Sequence, residues 1–120
     1  MSTAFRLQRT GDPDLVFDGD VLVDLSTREP GQTRWTEYRI YKTVSGRWVT
    51  EMLGRSAMYD EHDIRKVTVC STPVEVRDSL RRVDKARQTT KPYLTHSALD
   101  ALDEAPRHDP DLEGVTEERV

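Results

Sequence analysis

Apolar and polar residues alternate most clearly over residues 34–55, RWTEYRIYKTVSGRWVTEMLGR. Trp35, Tyr38, Ile40, Tyr41, Val44, Trp48 and Val49 are aromatic or β-branched, the types that suit a pleated surface. Ser45-Gly46 stands between the two runs, and glycine supplies the positive φ that tight hairpin turns need. Read as a two-residue loop, this turn sets Thr43 opposite Trp48, Tyr41 opposite Thr50, Arg39 opposite Met52 and Tyr38 opposite Leu53. Opposed residues share a face. The register therefore predicts an aliphatic face of Tyr38, Ile40, Val44, Val49 and Leu53. It also predicts an aromatic face of Trp35, Tyr41, Trp48 and Met52, with Arg39 beside Met52. A lone hairpin is marginal in water, so further strands are expected beside it.

Those strands are legible on both sides. Phe5 and Leu7 alternate with Arg6 and Gln8, and Gly11-Asp12-Pro13-Asp14 is turn chemistry. A strand is expected over about residues 21–27, approached by Leu15 to Phe17, with Asp18-Gly19 as a turn or bulge between them. Pro30-Gly31 then leads into the central hairpin. Over IRKVTVC, Ile64, Lys66, Thr68 and Cys70 fall on one side, and Arg65, Val67 and Val69 on the other. Consecutive antiparallel strands of this kind make a meander.

The period then changes. Thr72-Pro73-Val74-Glu75 is a capping box with proline at the first helical position. Val76, Leu80 and Val83 follow at helical spacing, with Arg77, Arg81, Arg82, Lys85 and Arg87 off that stripe. A second helix is expected from Pro92, re-capped by Ser97, with Leu99 and Leu102 on its packing face and Pro106 at its end. From Arg107 the chain is acidic, contains proline and glycine, and lacks periodicity. The expected fold is α+β: an antiparallel sheet of four to five strands, two helices packed on one face, and a disordered acidic tail. The domain would span residues 1–105 and the flexible tail residues 106–120.

Composition narrows the options. The chain is 35% hydrophobic and 33% charged, with a net charge of −4. Residues 1–64 carry −3, residues 65–91 carry +5 and residues 92–120 carry −6. A basic middle before an acidic end suggests internal neutralisation or a two-signed surface. There is no run of about 18 apolar residues and no signal-peptide pattern, so a cytoplasmic protein without membrane contact is expected. One cysteine, Cys70, excludes an internal disulfide and a cysteine-rich zinc site.

Phe17-Asp18-Gly19, Trp35-Thr36-Glu37, Gly54-Arg55-Ser56, Thr72-Pro73 and Tyr93-Leu94-Thr95, taken together, resemble a group of short uncharacterised proteins of bacteria and their phages and mobile elements. The resemblance implies no activity and assigns no residue a role.

No catalytic set, metal-ligand cluster or cofactor motif stands out, so an enzyme is not expected. His62, His96 and His108 are far apart, and the aspartates at 12, 14, 18, 20 and 24 lack the order of a calcium loop. Cys70 precedes a helix start, which can lower a thiol pKa, but burial as an inert cysteine is the stronger reading. Two surfaces remain. The aromatic face, Trp35, Arg39, Tyr41, Trp48 and Met52, would either be covered or meet a partner protein, and each tryptophan buries on the order of 200 Å2 when covered. The basic residues Arg77, Arg81, Arg82 and Lys85 would either be solvated or meet nucleic-acid phosphates. A protein-binding or regulatory module is the leading expectation, with nucleic-acid binding second and a homodimer open.

Overall fold

The computed structural model describes residues 2–82 and 91–117. Five strands follow one another as an antiparallel meander: β1 (Thr3–Arg9), β2 (Asp12–Ser26), β3 (Arg34–Thr43), β4 (Trp48–Ser56) and β5 (Ile64–Cys70). Among the described residues, two helices come next, α1 (Pro73–Ser79) and α2 (His96–Glu104), and then two short 3-10 turns, Ala105–Arg107 and Pro110–Leu112. The class is α+β. Among the described residues, no helix is long and apolar enough to cross a membrane.

The β3–β4 register is one residue away from the sequence expectation. The loop has three residues, Val44, Ser45 and Gly46. The Thr43 N–H donates to the Arg47 carbonyl at 2.8 Å, and Gly46 takes a φ of 88°. Lys42 therefore faces Trp48, Tyr41 faces Val49, and Tyr38 faces Met52. Because side chains alternate, this slip exchanges the faces of β4 relative to β3. Trp48, Thr50 and Met52 share a face with Tyr38 and Ile40. Tyr41, Arg39, Glu37 and Trp35 share the other with Val49, Glu51 and Leu53. The single aromatic face expected from the sequence is split between them.

β2 is also different. It runs unbroken through Asp18-Gly19, and its bulge lies at Leu22, between Val21 paired to Tyr41 and Val23 paired to Ile40. Gly19 is needed for close approach: a Cβ there would collide with the Lys42 carbonyl oxygen. The bulge moves odd-numbered positions from one face to the other. Leu15 and Phe17 accordingly join one core, while Val23 and Leu25 join the second.

The larger core gathers Val23, Tyr38, Ile40, Trp48 and Cys70 with Val76 and Leu80, and with Ala98, Ala101 and Leu102 of α2. The smaller contains Leu7, Tyr41 and Val49, flanked by Phe5, Leu15, Phe17 and Val67. Phe5, Phe17 and Tyr41 meet with ring centroids 5.0–5.4 Å apart, within the favourable range for aromatic pairs. β1 pairs with the first half of β2 and β3 with the second. The Arg65 N–H donates to Thr10 Oγ1 at 3.3 Å, which joins the end of the first hairpin to β5. The sheet thus curls into a half-barrel around the smaller core.

The helical segments are shorter than expected. Thr72 Oγ1 accepts from the Glu75 N–H at 3.2 Å, and Glu75 reaches back to the Ser71 N–H at 2.8 Å, so the capping chemistry is in place. α1 nevertheless closes at Ser79, with Leu80 as its C-cap. Arg81 and Arg82 lie beyond it, and Arg82 forms an isolated antiparallel bridge with Tyr93. Val83, Lys85 and Arg87 lie outside the described residues. α2 is capped by Thr95, not by Ser97.

The expected flexible tail is corrected for residues 106–117. Leu112 is 0% exposed and Val115 7%, both inside the larger core. Asp109 caps the second 3-10 turn, accepting from the Asp111 N–H at 3.1 Å. Sparse apolar residues anchor a segment whose composition alone reads as disordered. Residues 118–120 lie outside the described part.

Candidate functional site

Four of the five residues expected on an aromatic binding face are occupied within the fold. Trp48 is 5% exposed, its indole N–H donates to Asp109 Oδ2 at 2.9 Å, and Lys42 Nζ sits 3.9 Å from its ring centroid. Met52 packs against the same core. Tyr41 is in the smaller core. Arg39 is drawn into an ion network, donating to Glu51 at 2.9 Å, Glu37 at 2.9 Å and Asp24 at 3.2 Å.

Glu51 is the buried centre of that network, its side chain 2% exposed. Besides Arg39, it receives the Tyr41 hydroxyl at 3.4 Å, and Arg65 Nε lies 3.2 Å away as an ion pair without hydrogen-bond geometry. Burial and the Glu51 charge push the Tyr41 phenol up to about 12, against the pull of Arg39. Burial alone would raise the Glu37 carboxyl. Hydrogen bonds from Arg55 and Trp35, with the charges of Arg55 and Arg39, hold it below the usual range.

The expected basic stripe is tied down in part. Arg77 and Arg81 both donate to Asp78, at 3.1 and 2.8 Å, and these bonds, that from Arg81 foremost, lower the Asp78 pKa against the effect of burial. Arg82 turns the other way and donates to Thr36 Oγ1 at 3.2 Å. Lys85 lies outside the described residues. Cys70 is fully buried, and burial raises its thiol pKa, against hydrogen bonds from Ser79 and Thr50, so it has no thiolate character. Among the described residues, no group of three or more His, Cys, Asp or Glu is placed to hold a metal ion.

Two of the concavities among the described residues exceed 400 Å3. The first is a polar cleft of about 460 Å3 at the open end of β3 and β4, and it brings Trp35 and Arg82 together. The corrected register explains the rest of its lining, since Arg34 lies opposite Ser56 and Trp35 opposite Arg55. Trp35 is fixed on both sides: its indole N–H donates to Glu37 at 3.1 Å, and the Arg28 guanidinium lies 4.3 Å from its ring centroid. The loop after β4 delivers Glu61 and His62 to the cleft. Glu61 accepts from Arg34 Nε and Nη2 at 2.9 and 2.7 Å and from the Ser56 hydroxyl at 2.7 Å. These bonds, that from Arg34 foremost, hold its carboxyl below the usual range.

The second is a groove of about 520 Å3 at the opposite end, beside the β3–β4 turn. Leu15, Phe17 and Val49 of the smaller core line it, together with Val16, Val44 and Val69. Those three valines are 60%, 69% and 41% exposed. Arg47 and Asp18 are the charged residues of the lining. The sequence pattern pointed to neither concavity, because each depends on strand ends meeting in a particular register. No protein-family model matches the chain, and neither a curated protein nor a solved structure is similar to it.

Proposed function

We propose that the chain is a non-enzymatic binding module that contacts a partner protein through the apolar groove beside the β3–β4 turn. The observation that carries this reading is the grouping of Val16, Val44 and Val69, all more than two-fifths exposed, around one groove. Single exposed valines need no explanation, but a cluster over a recess leaves apolar area that a partner side chain can remove from water. Burial of such area is worth roughly 25 cal/mol per Å2, so a few apolar anchors suffice for a weak, regulatory contact. Protein is favoured over nucleic acid because the lining is mainly apolar, whereas Arg77 and Arg81 are engaged with Asp78. An accessory or inhibitor protein of a phage or mobile element is one concrete form of the role.

A photocrosslinking residue placed at Val44 tests it in cells that carry the protein natively, with the fully exposed Tyr59 as the control position. A discrete protein adduct from position 44, absent from position 59 and lost with Val16→Asp, is expected. Equal labelling from the two positions would overturn the reading. An adduct of twice the chain mass would replace the separate partner with a second copy.

A further inference from the structure

The polar cleft is a second site with different chemistry. Among the described residues, its lining holds three guanidiniums: Arg34 is paired with Glu61, Arg55 with Glu37 and Asp63, and Arg82 donates to the neutral Thr36 hydroxyl. Arginine forks match the paired oxygens of carboxylates and phosphates. The volume, about 460 Å3, is in the range of small-molecule sites.

Glu61 shows how an anion is held there. One carboxylate takes two guanidinium donors from Arg34 and the Ser56 hydroxyl, all at 2.7–3.0 Å. Its carrier is a loop whose Met58, Tyr59 and Asp60 are exposed. An anion supplied by such a loop can be exchanged for one from solution, because Arg34 and Ser56 keep the same number of bonds. Arg82, already held at this end of the sheet by Thr36, then supplies charge for a further negative oxygen.

We propose that this cleft binds a small phosphate monoester whose dianionic group displaces Glu61 from Arg34 and Ser56 and lies against Arg82. Trp35 forms the adjoining wall and borders the organic part of the ligand. Glu61 is then an internal competitor that keeps the site closed until the ligand is abundant. The site is distinct from the apolar groove and does not depend on it.

The two tryptophans provide the readout. In a 15N-labelled full chain, the Trp35 indole N–H resonance, assigned with Trp35→Phe, is followed during titration with phenyl phosphate. The Trp48 indole, held in the core by Asp109, is the internal control. A saturable shift of the Trp35 resonance alone is expected at up to millimolar ligand. Arg82→Ala should weaken binding by about tenfold or more, the scale of one lost charge-assisted bond. Glu61→Gln should tighten it. No saturable shift, equal movement of both indoles, or unchanged binding in Arg82→Ala overturns the site. Unchanged or weaker binding in Glu61→Gln overturns the displacement. Tighter binding of phthalate than of phenyl phosphate overturns the choice of a phosphate ligand.

Discussion

Trp48 on β4 and Asp109, 61 positions further along, are joined by an indole N–H to carboxylate bond of 2.9 Å. The bond satisfies a buried indole and pins the C-terminal segment to the sheet. Asp109→Ala leaves that N–H unpaired and is expected to cost about 1–3 kcal/mol. Burial would raise the Asp109 pKa, but the bonds from Trp48 and Lys42 outweigh it, so the folded value is depressed. Its contribution is therefore complete above the ordinary aspartate range and is lost as pH falls through the lowered value. Urea midpoints measured down the acid limb should fall less steeply in Asp109→Asn than in the parent. Parallel limbs would show that this carboxylate does not contribute.

Leu112 reports on the same segment through packing alone. It is wholly buried within the larger core, and Leu112→Ala is expected to cost about 2–5 kcal/mol in chemical denaturation. A flexible tail would make the substitution neutral, so the measurement separates the two descriptions of residues 106–117.

Glu51 neutralises two arginines at once. Glu51→Ala removes the carboxylate that Arg39 and Arg65 share, while Arg39 keeps Glu37 and Asp24, and a loss of about 1–3 kcal/mol is expected. Adding Arg39→Met to that variant should restore part of the loss, because the repulsion between Arg39 and Arg65 is removed. A double variant no more stable than the single one would mean that packing, not charge, dominates there.

Tyr41 gives a test on the alkaline side. Its folded pKa of about 12 lies above the ordinary phenol value of 10.0. A raised folded value means that the stabilisation is complete below about pH 10 and is lost as pH rises towards about 12. The fall in thermal midpoint over that interval should be smaller in Tyr41→Phe. Identical alkaline profiles would exclude the phenol as the titrating group.

The elements that were legible in the sequence are those defined by local chemistry. The five-strand meander follows from alternation and turn residues, and the Thr72 cap from a motif four residues long. The hairpin register was not legible, because Gly46 at a positive φ suits both a two-residue and a three-residue loop. That single residue decided whether Trp48 sat beside Tyr41 or beside Ile40. In sequence Gly19 resembles turn punctuation, yet its role is to let Lys42 approach, and the irregularity at Leu22 carries no glycine or proline signal. For the cleft, the sequence pattern marks both Trp35 and Arg82, but on separate surfaces. Their meeting depends on the chain turning back after α1, and the pairing of Arg34 with Glu61 spans 27 positions. Local patterning cannot encode such distances.

β2 serves both cores, the smaller through Leu15 and Phe17 and the larger through Val23 and Leu25. The first hairpin is therefore not a detachable lobe. A break anywhere in β2 would strip one core of its wall and the other of its neighbour, so the chain stands or falls as one cooperative unit. The groove and the cleft, at opposite ends of the sheet, are consequently two openings in a single indivisible body.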